Sequence, residues 1–374
     1  MILSLVLSSA LAQSPVLKPE LQVRPRFEIH TGRDGVEGGE TGFFTQRSRL
    51  GASLTVDAVT VRAVGQDVRM WGEEANTLTD FSADGFDMHI ATAAVELTDG
   101  ATLTLGRQEV AVHEHRLIGT VGWAQQARSF DGGLFSADGE GWGVDAGAFV
   151  LTARTPRAVD HDAAMGFVRG GWKPEGGQLD GLYVLMADGN VSPMFHTAGL
   201  YAKGKTGPVS GRIEGYGQFG ENRSAWMAGV SGTIAPDIDS KPAATLWYDH
   251  LSGDSTPNDG QIQAFNTLFA TNHKFYGLMD VMWFAVGATA DGQGLQDAAL
   301  KLSMSPVEKV TAKLDAHLFL APNPIGDAML GQEMDFTIGI KATEGLTVGI
   351  GDAVLLRPDL ALDSWSFVQV DAKL

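Results

Sequence analysis

Toward the C-terminus the chain alternates polar and apolar side chains residue by residue, segment after segment. In 333–342, Glu333, Asp335, Thr337, Gly339 and Lys341 share one face, and Met334, Phe336, Ile338, Ile340 and Ala342 share the other. A β-strand has a period of two, so the pattern predicts a strand with water on one side and an apolar medium on the other. The split recurs at 310–320, where Thr311, Lys313, Asp315 and His317 oppose Ala312, Leu314, Ala316 and Leu318, and again at 298–304 and 366–374. Segments of about ten residues with this alternation, separated by turns, are the signature of a transmembrane β-barrel.

The same reading along the chain gives strands at 21–32, 44–57, 60–70, 86–97, 101–110, 128–137, 142–154, 164–173 and 179–187. It continues with 195–203, 209–219, 224–234, 243–252, 295–304, 307–320, 332–343, 346–356 and 364–374. One further stretch, 278–290, is apolar enough to be a strand. Parity argues against it. These barrels have short periplasmic turns and long outer loops, and a strand there would send the tight Ser305-Pro306 connection outside. The expectation is therefore an antiparallel barrel of about 18 strands, with 278–290 in a long loop that folds into the lumen or over its mouth. Asp138-Gly139-Glu140-Gly141, Pro174-Glu175-Gly176-Gly177 and Thr343-Glu344-Gly345 supply the residues that tight periplasmic turns need.

A soluble β-sandwich also alternates. Small residues on the apolar faces, such as Ala298, Ala312, Ala316, Ala342, Gly211, Gly215 and Gly217, would leave a soluble core thinly packed, whereas lipid chains adapt to them. Composition sharpens the picture. The 374 residues include no cysteine, which excludes a disulfide framework and thiolate metal sites. No apolar run is long enough for a spanning helix. Residues 1–12 read as a secretory signal cleaved before Gln13, leaving 13–374 as one barrel domain in the outer membrane of a Gram-negative cell. The net charge of −18 offers no basic stripe for nucleic acid. Much of it falls in presumed outer loops (Asp34, Glu37, Glu40, Glu73, Glu74, Asp80, Asp84, Asp87), where it hydrates the surface. Trp71, Trp123, Trp142, Trp172 and Trp365 fall near strand ends, where an interfacial belt places amphipathic rings.

Alternation puts Arg24, Arg26 and Glu28 on one face of the first strand, Arg47 and Arg49 on the second, and Arg62 with Gln66 on the third. An arginine facing lipid at mid-bilayer costs about 2–4 kcal/mol, so these point into the lumen. Arg212, Glu214, Asp249, Lys301, Lys313, Asp315, Glu333, Asp335, Lys341, Asp371 and Lys373 join them. One wall is thus rich in arginine and the opposite wall mixes both signs, which suits a path for anionic solutes. The competing reading is that these charges pair across strands and brace the barrel. Arg107 breaks the simple pattern, since Thr102, Thr104, Gly106 and Gln108 take the lumenal face; either a bulge near Gly106 re-aims it or it snorkels at the interface.

Three stretches go beyond pattern: Arg47-Ser48-Arg49-Leu50-Gly51; Leu105-Gly106-Arg107-Gln108-Glu109 with Arg116-Leu117-Ile118-Gly119, Gly122-Trp123 and Phe130-Asp131; and the run from Phe265 to Asp280. Together they resemble the alginate-export family of outer-membrane barrels. The resemblance implies 18 strands and a pore lined by basic residues, with Arg49, Arg107 and Arg128 in those positions and with His273, Lys274 and Asp280 in a loop that constricts the channel. In that family an exporter passes an anionic polysaccharide, and many relatives are solute porins. The chain is short for an alginate exporter, carries a large acid surplus and ends on Leu374 rather than an aromatic residue. The expected function is accordingly passive diffusion of small polar or anionic solutes, with polysaccharide export through a periplasmic secretion partner as the alternative. A plugged structural or surface-display barrel is a third reading, and a lipolytic enzyme a fourth.

No catalytic signature accompanies the pattern. There is no Gly-x-Ser-x-Gly elbow. His113-Glu114-His115 reads as solvated loop histidines rather than a metal site, and no cofactor is expected.

Overall fold

The computed structural model describes residues 14–32, 39–72, 86–153, 162–188, 192–256, 259–282, 292–324, 328–358 and 362–374. The segment read as a secretory signal lies outside these, as do the loop acids Asp34, Glu37, Glu73, Glu74, Asp80 and Asp84.

Eighteen strands run in chain order. They are β1 (Val16–Thr31), β2 (Glu40–Val56), β3 (Val59–Met70), β4 (Phe86–Thr98), β5 (Ala101–Gln108) and β6 (Phe130–Gly139). Next come β7 (Trp142–Thr152), β8 (Ala163–Trp172), β9 (Gly177–Asp188), β10 (Ser192–Thr206), β11 (Val209–Gly220) and β12 (Ser224–Ile234). The series ends with β13 (Ala243–Leu251), β14 (Leu295–Met304), β15 (Val310–Leu320), β16 (Met329–Thr343), β17 (Leu346–Leu356) and β18 (Asp363–Lys373). Each pairs antiparallel with its sequence neighbours, and β1 closes the sheet by pairing with both β2 and β18. Closure leaves no unpaired edge, which is what permits a sheet to sit in lipid. The strand count holds, and the described part of 278–290, residues 278–282, runs inside the barrel; 283–290 lies outside the described residues.

One end of the barrel carries tight turns. Val56 pairs with Val59 across Asp57-Ala58, and Thr98 with Ala101 across Asp99-Gly100. The other end carries the long connections, including 109–129 and 252–294. Away from the rims, side chains that meet the outside are largely apolar: Leu50 is 71% exposed and Leu246 70%. Trp142 pairs in register with Trp172 at the short-turn end, both exposed, and Trp71 is exposed at the long-loop end. With Trp226, also exposed near the long-loop end, they stand where an interfacial belt places amphipathic rings. Trp123 and Trp365 do not belong to it; both lie inside.

The lumenal face is less uniformly polar than alternation implies. On β7 to β9 the inward residues Phe149, Met165, Phe167, Leu182 and Val184 are all buried. They join Val110, Val112, Leu117 and Ile118 of the 109–129 loop in one apolar cluster. The loop thus covers an apolar wall, and dispersion and hydrophobic burial hold it within the barrel.

Candidate functional site

Two loops meet inside the barrel. Gly119 N–H donates to the Phe269 carbonyl (2.9 Å), Phe269 N–H to Leu117 (2.8 Å), and Thr271 N–H to His115 (3.1 Å), so 115–119 and 269–271 run together as a short strand-like pair. Arg128 ties the pair further, donating to the Phe269 carbonyl and to Gly119 O (3.3 Å). The first loop is sharply bent: His113, Glu114 and His115 all have positive φ, at 47°, 57° and 74°. Three consecutive non-glycine residues in that region carry backbone strain that the surrounding packing must hold.

Arg116 is the electrostatic centre. Its side chain is 1% exposed and forms ion pairs with Glu214 (2.6 Å) on β11 and Asp249 (2.7 Å) on β13. It also donates to the Tyr276 hydroxyl (3.0 Å) and lies over the Phe275 ring (3.9 Å). Burial alone would lower its pKa, but Asp249 and Glu214 outweigh that and raise it, so the guanidinium is permanently charged. Arg212 joins the same two carboxylates and stacks on Trp247. Of the two histidines beside it, His113 is not solvated, contrary to expectation, while His115 is half-buried. His113 is buried, stacked on Tyr201, bonded to the Tyr216 hydroxyl (2.6 Å) and 3.2 Å from Asp180. Burial pushes its imidazole down to about 4.

The two flanking walls grip the loops by their backbone. On the arginine-rich wall, Arg24 donates to Gln125 Oε1 (3.0 Å) and to the carbonyls of Gly122 (2.8 Å), Trp123 (3.0 Å) and Ala124 (2.9 Å). Arg26 donates to the Trp123 carbonyl (2.5 Å) and to Gln369 (2.9 Å), and Arg47 lies 3.4 Å from three carbonyls of the same stretch. On β16, three strands from β1 in the closed sheet, the sign reverses: Asp335 accepts Leu278 N–H (3.2 Å) and Glu333 accepts Met279 N–H (2.8 Å). Gly277 makes this approach possible, with φ +83° and room for no Cβ, which would fall 2.3 Å from Glu333 Oε1.

The expected basic residues therefore divide. Arg24, Arg26 and Arg47 are lumenal, but their donors are engaged by the loop. Arg49 faces the lumen with Gln66 (2.8 Å) and Glu109 (3.5 Å), and Arg62 is held bidentate by Glu20 (2.7 and 2.6 Å). Lys301 lies 3.8 Å from Asp315, and Lys313 has no hydrogen-bond or ion-pair partner among the described residues. Arg107 requires a correction. It pairs in register with outward Ala91 and sits two residues from outward Leu105, and its guanidinium binds Asp131 (2.8 Å) and Asp87 (3.2 Å) on the outer rim. Gly106, with φ +115°, does not turn it inward; Arg107 stays on the outer face, where the two acids neutralise it.

Space remains between loops and wall. A cavity of about 610 Å³ lies toward the short-turn end, lined by Lys274, Lys301, Lys313, Asp315, Phe367 and Gln369 among others. A second, of about 400 Å³, lies toward the long-loop end beside Arg26, Glu28, Asp280 and Trp365. His273 and Lys274 line the inner cavity and Asp280 the outer one; His273 bonds Asp280 (2.9 Å), and Lys274 reaches Glu114 O (3.1 Å).

Over residues 17–358 the sequence matches the family described as Alginate export. The chain belongs to that family. A comparison with curated proteins finds no match. Among solved structures this alginate-export barrel is similar to the outer membrane protein OpdK from Pseudomonas aeruginosa, at 13% identity and TM-score 0.65, over 96% of this chain and 98% of that one. It is also similar to OccAB1 from Acinetobacter baumannii, at 13% identity and TM-score 0.67, over 96% of each chain. These likenesses concern the fold: a closed 18-stranded barrel of the outer membrane, whose apolar skin meets lipid.

Sequence reasoning passed over two residues. Arg116 appeared only within a motif, yet a charged residue next to Leu117-Ile118 signals a buried cation needing partners. Trp123 is expected in the interfacial belt, and no local cue places its ring in the lumen.

Proposed function

We propose that this protein is a passive channel for small anionic solutes. The observation that carries the reading is the inner cavity with Lys274, Lys301 and Lys313 on its walls, beyond loops that leave room for a small molecule. Fixed cations in a low-dielectric passage attract anions more strongly than the same charges in water. A threaded polysaccharide fits less well, because both loops would have to leave the lumen and break the hydrogen bonds of Arg24, Arg47, Glu333 and Asp335. Purified protein in planar bilayers should give discrete conductance steps and a reversal potential of anion preference in a salt gradient. Lys301→Gln with Lys313→Gln should move that potential toward cations. Cation preference in the native channel that survives neutralising the outer acids would defeat the reading, and so would the absence of any conductance. Block by alginate oligomers from the periplasmic side, without anion selectivity for small ions, would favour polymer export.

A further inference from the structure

The two chambers share a boundary. Among the described residues, Trp123 and Leu278 are the ones that line both. On β18 the inward side chains descend from Trp365 in the outer chamber to Phe367 and Gln369 in the inner one, so the chambers lie one above the other along a single strand. Trp123 stands across that step. Its ring meets Phe367 edge-on at 4.8 Å (72°) and Trp365 at 6.0 Å (89°).

The ring is held by two flat neighbours of unequal freedom. Arg26 lies 3.9 Å from its centroid and is fixed to β1, bonded to Gln369 and buried. His273 stacks on the same ring at 4.8 Å and 10°, but it belongs to the inward loop. Among the described residues its ion-pair partner is Asp280, whose side chain is 40% exposed, and its ring also meets Trp365 edge-on at 6.2 Å. His273 is therefore the neighbour that can be exchanged. Stacking on an aromatic face favours flat aromatic partners, because an offset-stacked pair gains attraction beyond the area it buries and a saturated ring lacks that quadrupole contribution. Below the step, Lys313 is unpaired among the described residues and Lys301 is loosely paired, so a carboxylate that passes the ring finds a cation waiting.

We propose that Trp123 is the specificity filter of the channel, and that a flat-ring carboxylate crosses by taking the place of His273 on the Trp123 face before its anionic group reaches Lys313. This deepens the channel reading and rests on it. The test is made on the full chain in planar bilayers with two probes of equal charge and similar size, benzoate and cyclohexanecarboxylate, and with chloride as reference. Native channels should pass benzoate at least threefold better than its saturated counterpart. Trp123→Ala should raise chloride conductance twofold or more and abolish the preference, while Trp123→Phe keeps it. His273→Ala, which leaves the partition but vacates its face, should raise benzoate permeation over chloride. The outward Arg107→Gln variant should behave as native. Should Trp123→Ala fail to give the heat-modifiable gel shift of a folded barrel, His273→Ala and Trp123→Phe carry the test. Native conductance with no difference between the two carboxylates, or with neither Trp123→Ala nor His273→Ala altering permeation, would overturn the filter and leave the channel reading standing. Silence from both native protein and Trp123→Ala would bring down both.

Discussion

The walls formed by β1–β2 and by β15–β16 do the same work with opposite charge. Arg24, Arg26 and Arg47 donate to the carbonyls of 122–125, and Glu333 and Asp335 accept the amides of 278 and 279. Each inward loop presents to its wall the end of the peptide group that this wall can bind. At these two walls a lumenal charge is an anchor for backbone, whereas Arg49, Arg62 and Arg212 pair with other side chains. The difference between the two walls lies in geometry. A guanidinium offers five donors in a fixed fork, so one residue such as Arg24 spans several carbonyls, whereas two carboxylates are needed for two amides.

The sharpest way to break this arrangement is at Arg116, where both loops and the wall converge. Removing it leaves Glu214 and Asp249 buried with one fewer cation, a change that costs about 3–5 kcal/mol where no water can enter. Arg116→Ala should release 109–129 from the lumen, seen as faster amide exchange in 112–119 and 269–271 and as noisy, enlarged single-channel currents. If exchange there stays at the native rate, the cluster is not what holds the loops.

A gentler pair of variants sharpens the contrast between walls. Arg24→Lys keeps the charge but replaces the fork with a point donor, and should loosen 122–125 by about 2 kcal/mol, the scale of a charged hydrogen bond or two. Glu333→Gln keeps an acceptor for Met279 N–H and should loosen 278–282 less. Protease nicking of each loop in the two variants ranks them, and equal susceptibility would erase the geometric distinction.

Acid separates the two loops in another way. Burial holds His113 at about 4, below its ordinary 6.5, among Asp180, Tyr201, Tyr216, Arg169 and Lys203. The docked loop keeps it neutral while the released loop takes a proton. Docking is therefore fully stable above about 6.5 and weakens as pH falls toward 4. The opening equilibrium of 110–118, read from exchange rates corrected for the intrinsic pH dependence of amide exchange, should rise as pH falls from 7 to 5, and His113→Gln should flatten that rise. An unchanged profile in the variant would place the sensitivity elsewhere.

Much of the barrel was legible because a period of two is a local property. The faces of β14 to β16 and the outward Leu50 needed only their own neighbours in sequence. The parity argument added the long loop, since short turns must share one end. The roles of the arginines were not legible: what Arg24 binds lies about a hundred residues away, on a loop whose path depends on the whole lumen. The apolar lumenal face of β7–β9 escaped for the same reason. Phe149 shares parity with Asp145, and Met165 and Phe167 with Arg169, but nothing local to them says that Leu117 and Ile118 cover them from within.

Arg107 supplies the smallest expected effect and the cleanest contrast with Arg24. Both sit in strands, both are arginines, and one residue of register sends them to opposite faces. Arg107 is paired with Asp131 and Asp87 at a rim where all three side chains are partly exposed, and such pairs are worth about 0–1 kcal/mol. Arg107→Gln should leave conductance, ion selectivity and thermal unfolding at native values within that margin, with the small change that remains lost at high salt. A shift in selectivity would mean that the β5 side chain reaches the lumen after all, and the division between anchoring, lining and outward arginines would have to be redrawn from the Gly106 backbone onward.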